Sequence, residues 1–346
     1  MLGDLSKKIS TILNDYENNR MTEEHVVKWV CQFDEADRVF ILEELSIIFE
    51  KTYLTKDECK NFLKVAINYL TKTYGYSSGE ELMVNTVILD LQKDGKSQKE
   101  LIDLLGEVLQ ENYNMTLDNC GQTHSHYLYL DDVLATGNTL FTNLCNWLKS
   151  SNAHNAAITN YEYIKQKDIK VSLCFTCLHS WGANNTEYRL MMEFDDKIKK
   201  YIKFSRAYEI ENNAKAYNSK LNLMIPIADQ PNEIKAYLTS LDADKYEDRA
   251  YRKEGTPISE TLFSSAANRI RLENIFLRKG IEILSQVKTL TVKQIRPLGY
   301  TIKSHKTFGL GTMFFTYRNI PNNCPIVFWW GNNWYPLFNL KNRGNS

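Results

Sequence analysis

A chain of 346 residues, 43% hydrophobic and 24% charged, has room for one large or two modest hydrophobic cores, and its composition is that of a globular protein. Lysine plus arginine and aspartate plus glutamate each total 42, which excludes a global electrostatic surface for nucleic acid or membrane and leaves only local patches open. No apolar run reaches the roughly 18 residues of a membrane span. The amino terminus lacks the apolar stretch of a signal peptide, and seven scattered cysteines, an odd number, suit a reducing cytoplasm.

Residues 1–75 form a predicted N-terminal helical region. Met21-Thr22-Glu23-Glu24 opens a helix with Val26, Val27 and Val30 on a stripe, and Val39, Leu42, Leu45 and Phe49 recur at helical spacing. Thr55-Lys56-Asp57-Glu58 starts a third helix expected to bury Phe62, Ala66 and Tyr69. No acid, base or glycine loop here suggests chemistry, so a helical cap or docking module is the expectation. DNA binding by these helices is the sharper alternative. It is disfavoured because their basic residues are interleaved with acidic ones.

A predicted α/β domain spans 76–260. Val87-Ile88-Leu89-Asp90-Leu91 reads as a strand, with a helix continuing from Glu80 as the alternative. Lys93-Asp94-Gly95-Lys96 is a turn, and Ser97-Gln98-Lys99-Glu100 is a capping-box pattern opening a helix with Leu101, Leu104, Leu105 and Val108 inward. The glycine turn, the lysines and the helix start make either an anion site or an ordinary capped helix. His124 and His126 lack partners at metal-ligand spacing and read as surface or core histidines. Tyr127-Leu128-Tyr129-Leu130 then leads as a strand into Asp131-Asp132, and Ala135-Thr136-Gly137-Asn138-Thr139 opens a helix carrying Leu140, Phe141, Leu144 and Leu148. Amides in such a turn point at a bound anion, and the helix dipole favours negative charge there. Carboxylates beside a phosphate cradle suit sugar hydroxyls, directly or through Mg²⁺.

The lone Cys174-Phe175-Thr176-Cys177 lies in a strand pattern and reads as buried strand, neither zinc site nor redox motif. The run Asp195-Asp196-Lys197-Ile198-Lys199-Lys200 reads as a solvated helix face. Residues 211–260 have little periodicity and are expected to form mobile loops over a site. A helix after Phe263-Ser264-Ser265 is expected to bury Ala267, Ile270, Asn274 and Leu277, with Arg269 and Glu273 as a spaced charge pair. The segment 261–346 is a loop-rich aromatic extension packed on the core. Its tryptophans could stack bases, but structural burial is favoured.

The strand, Asp131-Asp132, two apolar residues and Ala135-Thr136-Gly137-Asn138-Thr139 together resemble the ribose-phosphate signature of the type I phosphoribosyltransferases. The fold so implied is α/β: a type I phosphoribosyltransferase-like parallel sheet flanked by helices. Asp131 and Asp132 would contact the ribose 2′- and 3′-hydroxyls, with Mg²⁺, and the 135–139 loop would wrap the 5′-phosphate of phosphoribosyl pyrophosphate (PRPP). Gly95, Lys96 and Ser97 occupy the place of the family's pyrophosphate loop. Ala135 stands where the 6-oxopurine branch has an aspartate, which argues against hypoxanthine or guanine as acceptor.

Trp29-Val30-Cys31-Gln32-Phe33, Arg296-Pro297-Leu298-Gly299-Tyr300 and Phe328-Trp329-Trp330 extend the likeness to a bacterial group of phosphoribosyltransferase-like proteins with a carboxyl-terminal extension. Members are associated with antiphage defence loci, including retron operons in which they are effectors. The resemblance therefore implies a cytoplasmic protein, toxic when released. It would be restrained by a retron reverse transcriptase, its msDNA and a small DNA-binding protein, with no membrane partner and an open oligomeric state. Three roles follow: an enzyme making or breaking a ribosyl bond, a sensor binding PRPP or a nucleotide without turnover, or a structural module held by partners.

Overall fold

The computed structural model describes residues 1–92, 97–213, 220–242, 247–287 and 292–339. The chain divides into two compact units, Met1–Lys56 with Ile210–Ser346, and Asp57–Glu209. These cut the sequence elsewhere than the segments 1–75, 76–260 and 261–346, because both chain ends contribute to one core.

The first unit opens with α1 (Leu2–Ile12), α2 (Glu23–Val30), α3 (Glu35–Thr52) and the short strand β1 (Tyr53–Leu54). Thr22 caps α2 by accepting from the His25 amide. Helix α3 buries residues on most of its circumference, Phe40, Ile41, Leu42, Leu45, Ile48 and Phe49 among them. A helix apolar over so wide an arc needs partners on several sides.

The second unit runs through α4 (Lys56–Tyr74), α5 (Gly79–Val84), β2 (Thr86–Ile88), α6 (Ser97–Tyr113), β3 (His126–Leu134), α7 (Asn138–Lys149), α8 (Asn160–Lys167), β4 (Lys170–His179), α9 (Ser180–Glu193), α10 (Ile198–Tyr201) and β5 (Ile202–Ile210). Its sheet has the order β2-β3-β4-β5, with β3 parallel to both β2 and β4. Parallel neighbours need long crossovers, here supplied by helices, and this is the α/β architecture read from the sequence. Strands β3 and β4 are buried at nearly every position, so both faces carry apolar residues, with His126, Asp131, Asp132, Ser172, Thr176 and His179 as the buried polar exceptions. Cys174 and Cys177 lie within β4 and are fully buried. Strand β2 stops at Ile88, although the Leu89 amide still donates to Leu128 O at 2.8 Å. On α4 the buried stripe is Cys59, Phe62, Leu63, Ile67 and Leu70, while Tyr69 is 58% exposed. Tyr69 falls on the helix's outer flank once that fuller apolar stripe turns inward.

The chain re-enters the first unit with α11 (Asn232–Thr239), α12 (Ala266–Ser285) and β6 (Phe315–Thr316), which pairs in parallel with β1. The carboxyl-terminal aromatics supply what α2 and α3 lack. Trp29 stacks on Phe328 with ring centroids 5.9 Å apart, and Phe49 meets Phe315, Phe328 and Phe338. The indole N–H groups of Trp29 and Trp334 both donate to Val327 O at 2.8 Å. These rings form core and are not a base-stacking surface.

Two expectations are corrected in this unit. Residues 221–225 are buried chain, not mobile loop, because Arg269 donates to the carbonyls of Leu221 and Leu223. On α12 the inward face is Arg269, Leu272, Glu273, Phe276, Leu277 and Gly280. Of the expected stripe Ala267, Ile270, Asn274 and Leu277, only Leu277 is fully buried and Ala267 is exposed, while the expected Arg269–Glu273 pair is present, 3.6 Å apart and internal. Arg269 binds Glu260 at 2.6 Å, and Glu273 binds Arg252 at 2.6 Å. Among the described residues no helix is long and apolar enough to cross a membrane, and all seven cysteines are free thiols.

Candidate functional site

Strand β3 carries the two carboxylates inside its last four residues, in regular register with β4: Asp131 pairs with Phe175 and Val133 with Cys177. Successive strand residues face opposite sides, so Asp131 leaves on the side of Tyr127 and Tyr129, and Asp132 on the other. Both are more buried than ligands facing open solvent, at 9% and 7% exposure.

Asp131 is the centre of a dense network. Its Oδ2 accepts from Gln92 Nε2 at 2.5 Å and from Tyr129 Oη at 3.2 Å. Its Oδ1 accepts from Ser97 Oγ at 2.8 Å and from the Asp132 amide at 2.9 Å. Several donors on one carboxylate stabilise its charged form. Burial, reinforced by the Asp131 charge, pushes the Tyr129 phenol well above its ordinary value. Gln98 extends the network: its Oε1 accepts from the Leu91 and Gln92 amides, and its Nε2 donates to Leu89 O and Leu130 O. Ser97 and Asp131, singled out separately in the sequence, thus meet directly. Gly95 and Lys96 lie outside the described residues.

After β3 the turn reaches the surface. Ala135 and Thr136 are half-buried, Gly137 is buried, and Asn138 and Thr139, the first residues of α7, are exposed. Gly137 adopts φ 76°, a left-handed conformation that glycine adopts without strain. A Cβ there would lie 2.0 Å from Thr186 Oγ1. Across from it, a Cβ on Gly182 would lie 2.1 Å from Ala135 O, so two glycines let α9 press directly on the turn. Thr186 Oγ1 donates to Gly182 O at 2.8 Å and lies 3.5 Å from Gly137 O. The amides of Thr136 and Gly137 donate to no described residue. The Asn138 amide donates to Thr136 Oγ1 at a long 3.4 Å, and the amides of Thr139 and Leu140 have no acceptor within the helix. The turn therefore offers anion donors at a helix N-terminus.

Other candidate residues have structural places. His126 is 1% exposed and bonded to Ser172 Oγ at 3.0 Å, and burial pulls its pKa down to about 4. His124 rests edge-on against His154 with centroids 4.0 Å apart. Burial pushes the Cys174 thiol up to about 11, which keeps it protonated and inert. Among the described residues no group of three or more His, Cys, Asp or Glu is placed to hold a metal. Magnesium bound together with substrate phosphates needs only one or two protein carboxylates, and Asp131 and Asp132, on opposite faces of β3, would each offer one.

Sequence reading missed Gln92, Gln98, Gly182, Thr186 and Arg189. Tyr129, read only as a strand residue, shares a strand face with Asp131 at a spacing of two, a signal that could have shown the contact. A family model described as PRTase-CE matches residues 26–339. Comparisons with curated proteins and with solved structures give no match.

Proposed function

The chain belongs to the PRTase-CE family and is a phosphoribosyltransferase-like protein, and on that premise we propose that its β3–turn–α7 segment binds a ribose phosphate, PRPP or a nucleotide, to make or break a ribosyl bond. The observation that carries this reading is the pairing of a surface-reaching turn with free amides and a carboxylate pair directly before it. The ligand's 5′-phosphate sits on the amides of 135–139, and Asp131 and Asp132 hold ribose hydroxyls.

Breaking the C1–pyrophosphate bond sends its electron pair to pyrophosphate through an oxocarbenium-like state. An acceptor nucleophile, water or a nitrogen or oxygen of a base or nucleic acid, forms the new bond to C1 and gives up a proton. The chain contributes mainly by orienting the sugar and fixing charges around it. Asp131 and Asp132 are the residues that would hold Mg²⁺, which supplies charge neutralisation for the leaving group. Gly95, Lys96 and Ser97 belong to the pyrophosphate side of the same reading. Asp131 Oδ1 and Oδ2 already accept from Gln92, Tyr129, Ser97 and the Asp132 amide. A sugar hydroxyl therefore competes with internal donors, and this observation favours a second reading, a sensor that binds the same ligand without turnover.

The biological setting belongs to the proposal as well. The Trp29–Phe33 and carboxyl-terminal phrases support an antiphage-defence effector of the cytoplasm. It is toxic when released and restrained by a retron reverse transcriptase, msDNA and a small DNA-binding protein. Incubating the full chain with PRPP and Mg²⁺, in water alone and with a nucleobase or a nucleic acid as acceptor, while following pyrophosphate release tests the activity. Release that stops in the Asp131→Asn/Asp132→Asn variant supports the enzyme, binding without release supports the sensor, and neither binding nor release defeats both.

A further inference from the structure

Helix α9 does more than back the turn. Gly182, Thr186 and Arg189 follow at spacings of four and three, so they share one face of that helix. The first two meet Ala135 and Gly137. The third reaches α7: the Arg189 guanidinium lies 3.7 Å over the Phe141 ring, and its Nη1 donates to Asn138 Oδ1 at 3.3 Å. Asn138 is the first residue of α7, so the cation is held at the rim of the amide cradle.

We propose that Arg189 is a charged anchor for the terminal phosphate of the ligand at this turn, selecting a phosphate monoester dianion. The proposal rests on the ribose-phosphate reading given above. Its support is a cation fixed in place but electrically unanswered. Among the described residues no carboxylate pairs with Arg189. Of the two acids on its own helix, Glu187, two residues away, faces elsewhere and meets Lys199 at 3.9 Å, and Glu193, at the pairing distance of four, is engaged with Lys149. The one hydrogen bond recorded for Arg189 goes to a neutral carboxamide and uses one of its five N–H donors. The Phe141 ring, 3.7 Å away, holds the guanidinium in place, and its remaining N–H donors suit the two-pronged contact that arginine makes with phosphate. Amides and a helix dipole supply only partial charges. Arg189 brings a full one to the same place.

Calorimetric titration of ribose 5-phosphate into the full chain tests this, using the parent, Arg189→Gln and Arg189→Lys at about pH 5.5 and 7.5, either side of the second phosphate pKa near 6. The parent is expected to bind more tightly at the higher pH. Arg189→Gln is expected to bind about ten- to a hundredfold more weakly and to lose much of the pH gain, with Arg189→Lys between the two. Arg189 is half-exposed, so melting temperatures should stay close to the parent's, and Arg189→Lys keeps the test valid if the glutamine variant misfolds. Equal affinity and equal pH gain in parent and Arg189→Gln would overturn the role of Arg189 alone. No heat from any of the three proteins would remove the ribose-phosphate reading and this inference with it.

Discussion

Asp131 accepts four donors from residues scattered along the chain: Gln92, Ser97, Tyr129 and the amide of Asp132. Replacing it with asparagine turns one acceptor into a donor facing donors. Asp131→Asn should cost about 1–3 kcal/mol of stability, read from denaturant unfolding, and an unchanged midpoint would show the network to be slack. His126 gives a pH signature in the same unit. Its folded pKa, near 4, lies below the ordinary 6.5 because burial disfavours the imidazolium. The unfolded chain therefore binds more protons between those values. The stability contributed by neutral His126 is complete above about pH 6.5 and is lost as pH falls towards 4, up to a few kcal/mol. His179, in the same unit, is pulled down to about 3 by burial and adds to the effect. His126→Gln should flatten the acid limb of a stability–pH curve, and an unaltered slope would contradict this. At this scale the carboxylates, the turn and Ser97 were legible because their residue types carry local chemistry. Gln92 and Gln98 were not, since an amide side chain gains its partners only from tertiary placement.

Among elements, the strand–turn–helix at 126–149 was legible because an apolar run gives way to a glycine turn and then to helical spacing. What holds the turn in place was not. Gly182 sits 45 residues beyond Gly137, and only the folded sheet shows that α9 must touch Ala135. Gly182→Ala should push α9 off the turn. The expected loss is about 1–3 kcal/mol of stability together with weakened ribose 5-phosphate binding, and full retention of both would show the contact to be yielding. Helix α12 taught the opposite lesson. Its spacing showed the Arg269–Glu273 pair but not that the pair is buried, where the guanidinium of Arg269 also finds Glu260 and two carbonyls.

At the scale of the whole molecule, the unit built from both chain ends depends on buried charge as well as on aromatic packing. Burial pushes the Glu273 carboxyl up against the opposing pull of Arg252 and Arg269, so the arginines must be present for that group to be tolerated as a charge. Arg269→Ala should destabilise this unit by about 3–5 kcal/mol, measured as loss of the cooperative unfolding reported by tryptophan fluorescence. A change below about 1 kcal/mol would mean the network is relaxed by water. The parallel sheet and its helices were readable from pattern, but the joining of residues 1–56 to the chain beyond 210 was not, because no local signal says which distant aromatic fills a helix face. The central claim stands on the turn at 135–139 and its carboxylates. Calorimetric titration of PRPP with Mg²⁺ into the full chain tests it most directly: the parent should give saturable heat that a folded Asp131→Asn/Asp132→Asn variant loses. No heat from the parent at millimolar ligand, or equal affinity in the double variant, would contradict it.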